Sequence, residues 1–176
     1  MNRLGMAAIL LSTIVALTAQ RAIANDDLGP NLDLVIDQLG EFLSPTELVE
    51  SLDGGYGNRA VISQGGEENR ALASQLGFNN QLHATQFGTE NLLQVAQFGY
   101  ENVIEAEQIG FANETEVLQV GYGNRASSMQ DGTDNRNRIV QVGDDNNALV
   151  EQTGYGQVVV IRQFGNDNTA VVYQAN

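Results

Sequence analysis

The stretch Gln141-Val142-Gly143-Asp144-Asp145-Asn146-Asn147-Ala148-Leu149-Val150-Glu151-Gln152 decides the fold. Glycine stands two residues after the first glutamine, asparagine five after it, and a second glutamine closes the unit at eleven. Followed outward in both directions, the glutamine recurs without a slip as Gln64, Gln75, Gln86, Gln97, Gln108, Gln119, Gln130, Gln141, Gln152, Gln163 and Gln174. The glycine row is Gly55, Gly66, Gly77, Gly88, Gly99, Gly110, Gly121, Gly132, Gly143, Gly154 and Gly165. The asparagine row is Asn58, Asn69, Asn80, Asn91, Asn102, Asn113, Asn124, Asn135, Asn146 and Asn168, with Gln157 the one exception. From Asp53 onward the chain is an array.

Each unit reads as one strand and one tight turn. In Asn91-Leu92-Leu93-Gln94-Val95-Ala96-Gln97, the alternate residues Asn91, Leu93, Val95 and Gln97 share a face, the period of two of a strand. The Gly-x-x segment before each Asn is turn chemistry, because Gly and Asn tolerate positive φ. An eleven-residue period also suits a right-handed helical coiled coil, but Gly and Asn in every unit would cost a helix too much. Two units therefore make one closed coil of 22 residues. Such a coil cannot bury its apolar face alone, so coils must stack, residue i over i+22 at ~4.8 Å. The predicted fold is all-β, a β-solenoid of stacked 22-residue coils of the cross-β amyloid type.

Stacking gives each position a ladder. Ala60, Leu82, Ile104, Ala126, Ala148 and Ala170 form one inward row, and Ile62, Ala84, Val95, Val117, Ile139, Val150, Ile161 and Val172 fill the second inward rows. A buried amide without a partner costs ~1–3 kcal/mol, so the Gln and Asn rows are expected to bond to the same amide one coil up. Outside, Glu114 and Glu116 precede Arg136 and Arg138 by 22 residues, which sets opposite charges side by side on stacked strands. Tyr56, Phe78, Tyr100 and Tyr122 are expected to stack along one edge, with Glu67, Glu68, Glu90 and Asp134 along the other.

Composition narrows the function classes. The chain has 22 acidic residues against 8 basic ones, all Arg, for a net charge of −14. Nucleic-acid binding needs clustered cations, which this balance opposes. With no Cys there is neither a disulfide framework nor a thiolate metal site. The single histidine, His83, is expected alone on an outward strand face, so no catalytic, cofactor-binding or metal-binding residue is expected, and no small-molecule substrate. A calcium solenoid would repeat every nine residues with Asp ligands. Thr85, Thr89, Thr115 and Thr133 form no regular ice-binding array.

The N-terminal residues differ in texture. Arg3, the apolar run Met6 to Ala19 and the small-x-small site Ala22-Ile23-Ala24 predict a signal peptide over 1–24. The exported chain would begin at Asn25 with 6 Arg against 22 acids, a charge of −16. Residues 25–52 form an acidic segment of loosely helical pattern, and Ser44-Pro45-Thr46-Glu47 reads as a capping box opening a short helix to about Leu52. That segment is either a flexible leader or a cover for one end of the solenoid over 53–176. At the other end, the strands around Val158 to Ile161 and Thr169 to Tyr173 carry little charge and no capping segment follows Asn176. An open apolar edge of this kind templates another chain.

The unit Q-x-G-x-x-N-x-A-x-x-x-Q, as it stands in Gln141 to Gln152 and with related residues at the Ala position throughout 58–174, resembles the curlin repeat of bacterial curli. The resemblance implies an amyloid subunit exported by the curli machinery at the outer membrane. It implies polymerisation with itself and with another curlin subunit outside the cell, where the fibre (fimbrium) serves biofilm matrix and adhesion. Uniform eleven-residue spacing, and Asn where the major subunit usually opens its repeat with Ser, resemble the minor, nucleating subunit. The final units lack the basic, pattern-breaking last repeat of some nucleators. The major subunit, and a soluble solenoid adhesin capped by Asn31 to Leu52 that does not polymerise, stand as the alternatives.

Overall fold

The computed structural model describes residues 33–38 and 48–176, with side chains described from residue 55. The expected signal peptide over 1–24 and the whole of the expected capping box, Ser44-Pro45-Thr46-Glu47, lie outside the described residues. The described chain is thirteen strands. They are β1 (Asp33–Gln38), β2 (Leu48–Tyr56), β3 (Arg59–Glu67), β4 (Arg70–Phe78), β5 (Gln81–Thr89), β6 (Leu92–Tyr100) and β7 (Val103–Phe111). There follow β8 (Glu114–Tyr122), β9 (Arg125–Thr133), β10 (Arg136–Asp144), β11 (Asn147–Tyr155), β12 (Val158–Phe164) and β13 (Thr169–Ala175).

Odd strands form one parallel sheet in the order β1-β3-β5-β7-β9-β11-β13, and even strands form the other from β2 to β12. From β2 onward every pairing is residue i with i+22, as in Gln86 with Gln108 and Gly99 with Gly121. The chain thus alternates between two facing sheets and rises one strand spacing per two units, which makes it a β-solenoid. The turn that reverses direction is built from one Gly at high positive φ and one residue in the left-handed region just before the Asn, as in Gly110 (φ 118) and Ala112 (φ 54).

The core lies between the sheets and is narrow. Ile62, Leu82, Ile104, Leu93, Val117, Ile139 and Val150 are buried there among alanines, with Ala170 and Val172 packed against them at the last coil. Its rows are interrupted over three consecutive strands, β8 to β10, by Thr115, Ser128 and Asn137, all buried. Thr115 Oγ1 donates to Gln130 Oε1 (2.8 Å) and Asn137 Nδ2 donates to Ser128 Oγ (2.7 Å), but Asn137 Oδ1 is buried without a partner.

Two N-terminal expectations change. Over its described part the expected helix is strand: Leu48–Leu52 belong to β2 and pair with Arg70–Ser74. The loosely helical pattern around Leu34 to Ile36 is likewise strand, in β1, paired with β3. A free edge strand satisfies its backbone by extending an existing sheet, and that tertiary pairing outweighs a local capping signal. The solenoid therefore begins one coil before the first repeat read from the sequence.

Candidate functional site

The Gln of each unit is the last inward residue of its strand, where the strand meets the turn. Gln86, Gln97, Gln108, Gln119, Gln130, Gln141 and Gln152 are fully buried, so their amides must find partners inside the protein. They find two. Each Nε2 donates to the Oε1 of the Gln one coil on, through nine bonds of 2.7 to 3.1 Å from Gln64 to Gln174. Each Nε2 from Gln75 to Gln163 also donates to a carbonyl sixteen residues back, at the start of the facing sheet's strand, as in Gln108 to Leu92 O at 3.0 Å. The first set ties coil to coil and the second ties sheet to sheet.

The Asn residues hold the turns. Asn102 shows the pattern: its Oδ1 accepts from the backbone N (3.1 Å) and Nδ2 (3.0 Å) of Asn124, and its Nδ2 donates to Asn80 Oδ1 (2.9 Å) and Gly121 O (3.0 Å). The Asn58, Asn80, Asn102, Asn124, Asn146, Asn168 row is continuous, with side-chain bonds of 2.7 to 3.0 Å. The other row runs Asn69, Asn91, Asn113. It then changes: Asn135 keeps a bond to Gly154 O, and its Oδ1 receives the backbone N of Gln157. Gln157 turns its Nε2 to Thr153 O and leaves its own Oε1 buried and unpartnered. The Gln ladders donate toward the C-terminal coil and the Asn ladders toward the N-terminal one, so their dipoles oppose.

Stacking also explains the glycine row. A Cβ on Gly110 would lie 2.0 Å from the carbonyl oxygen of Gly132, and the same collision recurs from Gly55 to Gly143. Carbonyl and amide bring adjacent turns so close that no side chain fits between them.

The outer faces follow the register. Arg136 pairs with Glu114 (3.5 Å) and Arg138 with Glu116 (3.1 Å), both exposed enough to contribute little stability. Burial pushes the Glu116 carboxyl above its ordinary value of 4.5, Arg138 pulls it back, and Glu114 adds to the rise. Along one edge Tyr56 stacks on Phe78 (5.9 Å, 22°) and Phe78 on Tyr100 (5.2 Å, 6°). Tyr122, expected as the fourth member, instead donates its hydroxyl to Glu101 (2.9 Å), and that bond raises its phenol above 10.0. Below it, Asp144 and Asn166 side chains accept the edge backbone N–H of Tyr122 and Asp144. His83 is exposed, as its outward position requires. Among the described residues no group of three or more His, Asp or Glu could hold a metal ion.

Sequence reading missed the sheet-to-sheet role of the Gln amides, the backbone capping by Asn, and the polar break at Thr115, Ser128 and Asn137. Only the last had a visible signal, since polar residues stand at inward positions of the alternation.

At the C-terminal end the ladders reach an edge. Val158, Val160, Phe164, Val171 and Tyr173 are each about half exposed or more, on strands β12 and β13 that have no strand on their far side among the described residues. The family model of the curlin associated repeat matches residues 55–88 and 143–175. The chain carries curlin associated repeats in these two regions. The two matched regions lie toward opposite ends of the array, and the coils between them keep the same Gln, Gly and Asn register, so the eleven-residue unit is one structural series from β3 to β13. Comparison with curated proteins and with solved structures returns no match. The curlin repeat supports a structural role as a curli subunit.

Proposed function

We propose that this chain is a structural subunit of extracellular curli amyloid fibres, exported across the outer membrane by the curli machinery and polymerised at the cell surface. The observation that carries this reading is the unbroken Gln ladder, which makes every coil an equivalent template for the next and ends at exposed edge strands. A stack of identical coils with an open, apolar edge gains by adding another chain. The work is mechanical: fibres give a biofilm matrix cohesion and give cells an adhesive surface. It calls for no catalytic residue.

Within the curli system the chain reads best as the minor subunit that nucleates a partner curlin. The uniform eleven-residue spacing and the Asn at the repeat opening support this. Seeding tests it. Tethered to a surface at substoichiometric amounts, the chain should shorten the lag of a partner curlin's assembly. If the partner's lag is unchanged while this chain forms fibres readily alone, it is a major subunit. If this chain stays monodisperse for days at high concentration with β circular dichroism already present, it is a capped adhesin.

A further inference from the structure

Strands that alternate between two sheets impose a parity rule on end-to-end joining. A second copy continues both sheets only if each copy contributes equal numbers of strands to them. The described strands number seven in one sheet and six in the other. If β1 of one copy sat on β13 of another, the even sheet would lack one strand between β12 and the next copy's β2. That gap of about 9.6 Å would leave backbone donors and acceptors open on both sides. Strands β2 to β13, by contrast, are six per sheet, or six whole coils.

The odd strand is also the irregular one. β1 pairs with β3 at an offset of 26 residues, Asp33 with Arg59 and Gln38 with Gln64, where every other pairing is offset by 22. It covers only six residues of the nine in β3. With β1 in place, Gln64 Oε1 is buried and has no hydrogen-bond partner, although Gln64 is only 1 % exposed. Every following Gln in the ladders of its sheet receives an Nε2 from the coil before it. The orphan oxygen stays unpartnered even though β1 sets Gln38 in register with Gln64.

We propose that β1 is a provisional edge strand, and that a second copy of this chain displaces it. In the resulting junction β13 of one copy pairs with β3 of the next, and β12 pairs with β2. Continuing the 22-residue register places Gln174 on Gln64, Asn168 on Asn58, Gly165 on Gly55 and Gln163 on Asp53. Gln174 Nε2 then donates to the orphan Gln64 Oε1, and both sheets run on without a gap. Displacement exchanges a six-residue pairing that strands a buried amide for a full-length one that satisfies it. β1 therefore slows joining at the β3 edge until a copy with matched ladders arrives.

This inference rests on the fibre-subunit reading, and two measurements separate them. Hydrogen exchange on fibres of the chain lacking residues 1–24 should leave amides 34–38 as unprotected as unstructured chain, with those of β3 protected. The second uses Val35→Cys with Val61→Cys, register partners in a chain with no other cysteine. The oxidised variant, with β1 locked on β3, should elongate at least ~10-fold more slowly alone and cap wild-type seeds, and reduction should restore growth. Wild-type fibres in which 34–38 are as protected as β3, or an oxidised variant that elongates at the wild-type rate, would overturn displacement alone. A wild-type chain that forms no fibres overturns the subunit reading and this inference with it.

Discussion

Replacing Gly110 by Ala tests the stacking directly, because two separable costs meet there. The residue sits at φ +118, where an L side chain is strained by about 1–3 kcal/mol. Its Cβ would also lie 2.0 Å from Gly132 O, against an ordinary C···O approach of about 3.3 Å or more. To relieve that contact the two coils must part by over ~1 Å of their ~4.8 Å spacing. Three bonds cross between these two coils beside the contact: Asn113 Nδ2 to Gly132 O (2.9 Å), Asp134 N to Phe111 O (3.0 Å) and Asn135 N to Asn113 Oδ1 (3.2 Å). At ~0.5–1.5 kcal/mol each, their loss brings the total to about 3–7 kcal/mol. Gly156 (φ +65) has nothing within 4 Å of its Cβ position, so its Ala variant bears only the backbone term, about 1–2 kcal/mol. Guanidinium unfolding followed by far-ultraviolet circular dichroism should show Gly110→Ala losing clearly more than Gly156→Ala. Equal losses would mean that the turns do not approach as described, and the stacking argument would fail.

Gly165 has only Asn168 Nδ2 near its Cβ position, at 3.8 Å, so Gly165→Ala should cost a single chain no more than the strain of its φ but should sharply slow seeded elongation, where a new coil meets it; wild-type elongation would contradict this. Gln108→Ala removes bonds to Gln130 and Leu92 and one accepted from Gln86, and should destabilise by about 2–4 kcal/mol, against ~1 for Gln174→Ala at the edge, as read by denaturant midpoints. Because burial raises the Glu116 carboxyl in the folded state, its protonated form is favoured there, and the stability this group allows is lost as pH rises from 4.5 through the raised value. Glu116→Gln should therefore flatten the fall in stability over that window, and an unchanged pH profile would refute the assignment. Asn137→Val removes a buried oxygen with no partner but also the bond from Asn137 Nδ2 to Ser128 Oγ, so the two effects offset and stability should change by no more than ~1 kcal/mol, which thermal unfolding can check.

Most of the solenoid is legible in the sequence because each residue's decisive neighbours are its own equivalents 22 positions away. A Gln that recurs every eleventh residue states both its strand position and its hydrogen-bond partner. The same logic explains what was not legible. At the N-terminus the offset changes from 22 to 26 and Asp53 stands at the Gln position, so the period breaks where Ser44-Pro45-Thr46-Glu47 offers a strong local helix signal. The available clue was Gln38-Leu39-Gly40, a Gln-x-Gly start set four residues out of phase. Tyr122 left the aromatic row because Glu101, on the adjoining turn, offers its hydroxyl a charged acceptor, and no period encodes that choice. The Gln-to-carbonyl bonds between sheets depend on how closely two strands face each other, a distance set by the small alanine-rich core rather than by spacing along the chain.

The central claim is that each copy coils on itself and that fibres join whole coils end to end. Solid-state dipolar recoupling on fibres carrying one ¹³C label, at the Ala106 carbonyl, measures it most directly. A solenoid of six coils per copy sets equivalent labels about 29 Å apart, so no label–label dephasing is expected. Dephasing that reports ~4.8 Å would mean that Ala106 stacks on Ala106 of the next chain in a flat, in-register cross-β fibre, and the solenoid account would be wrong.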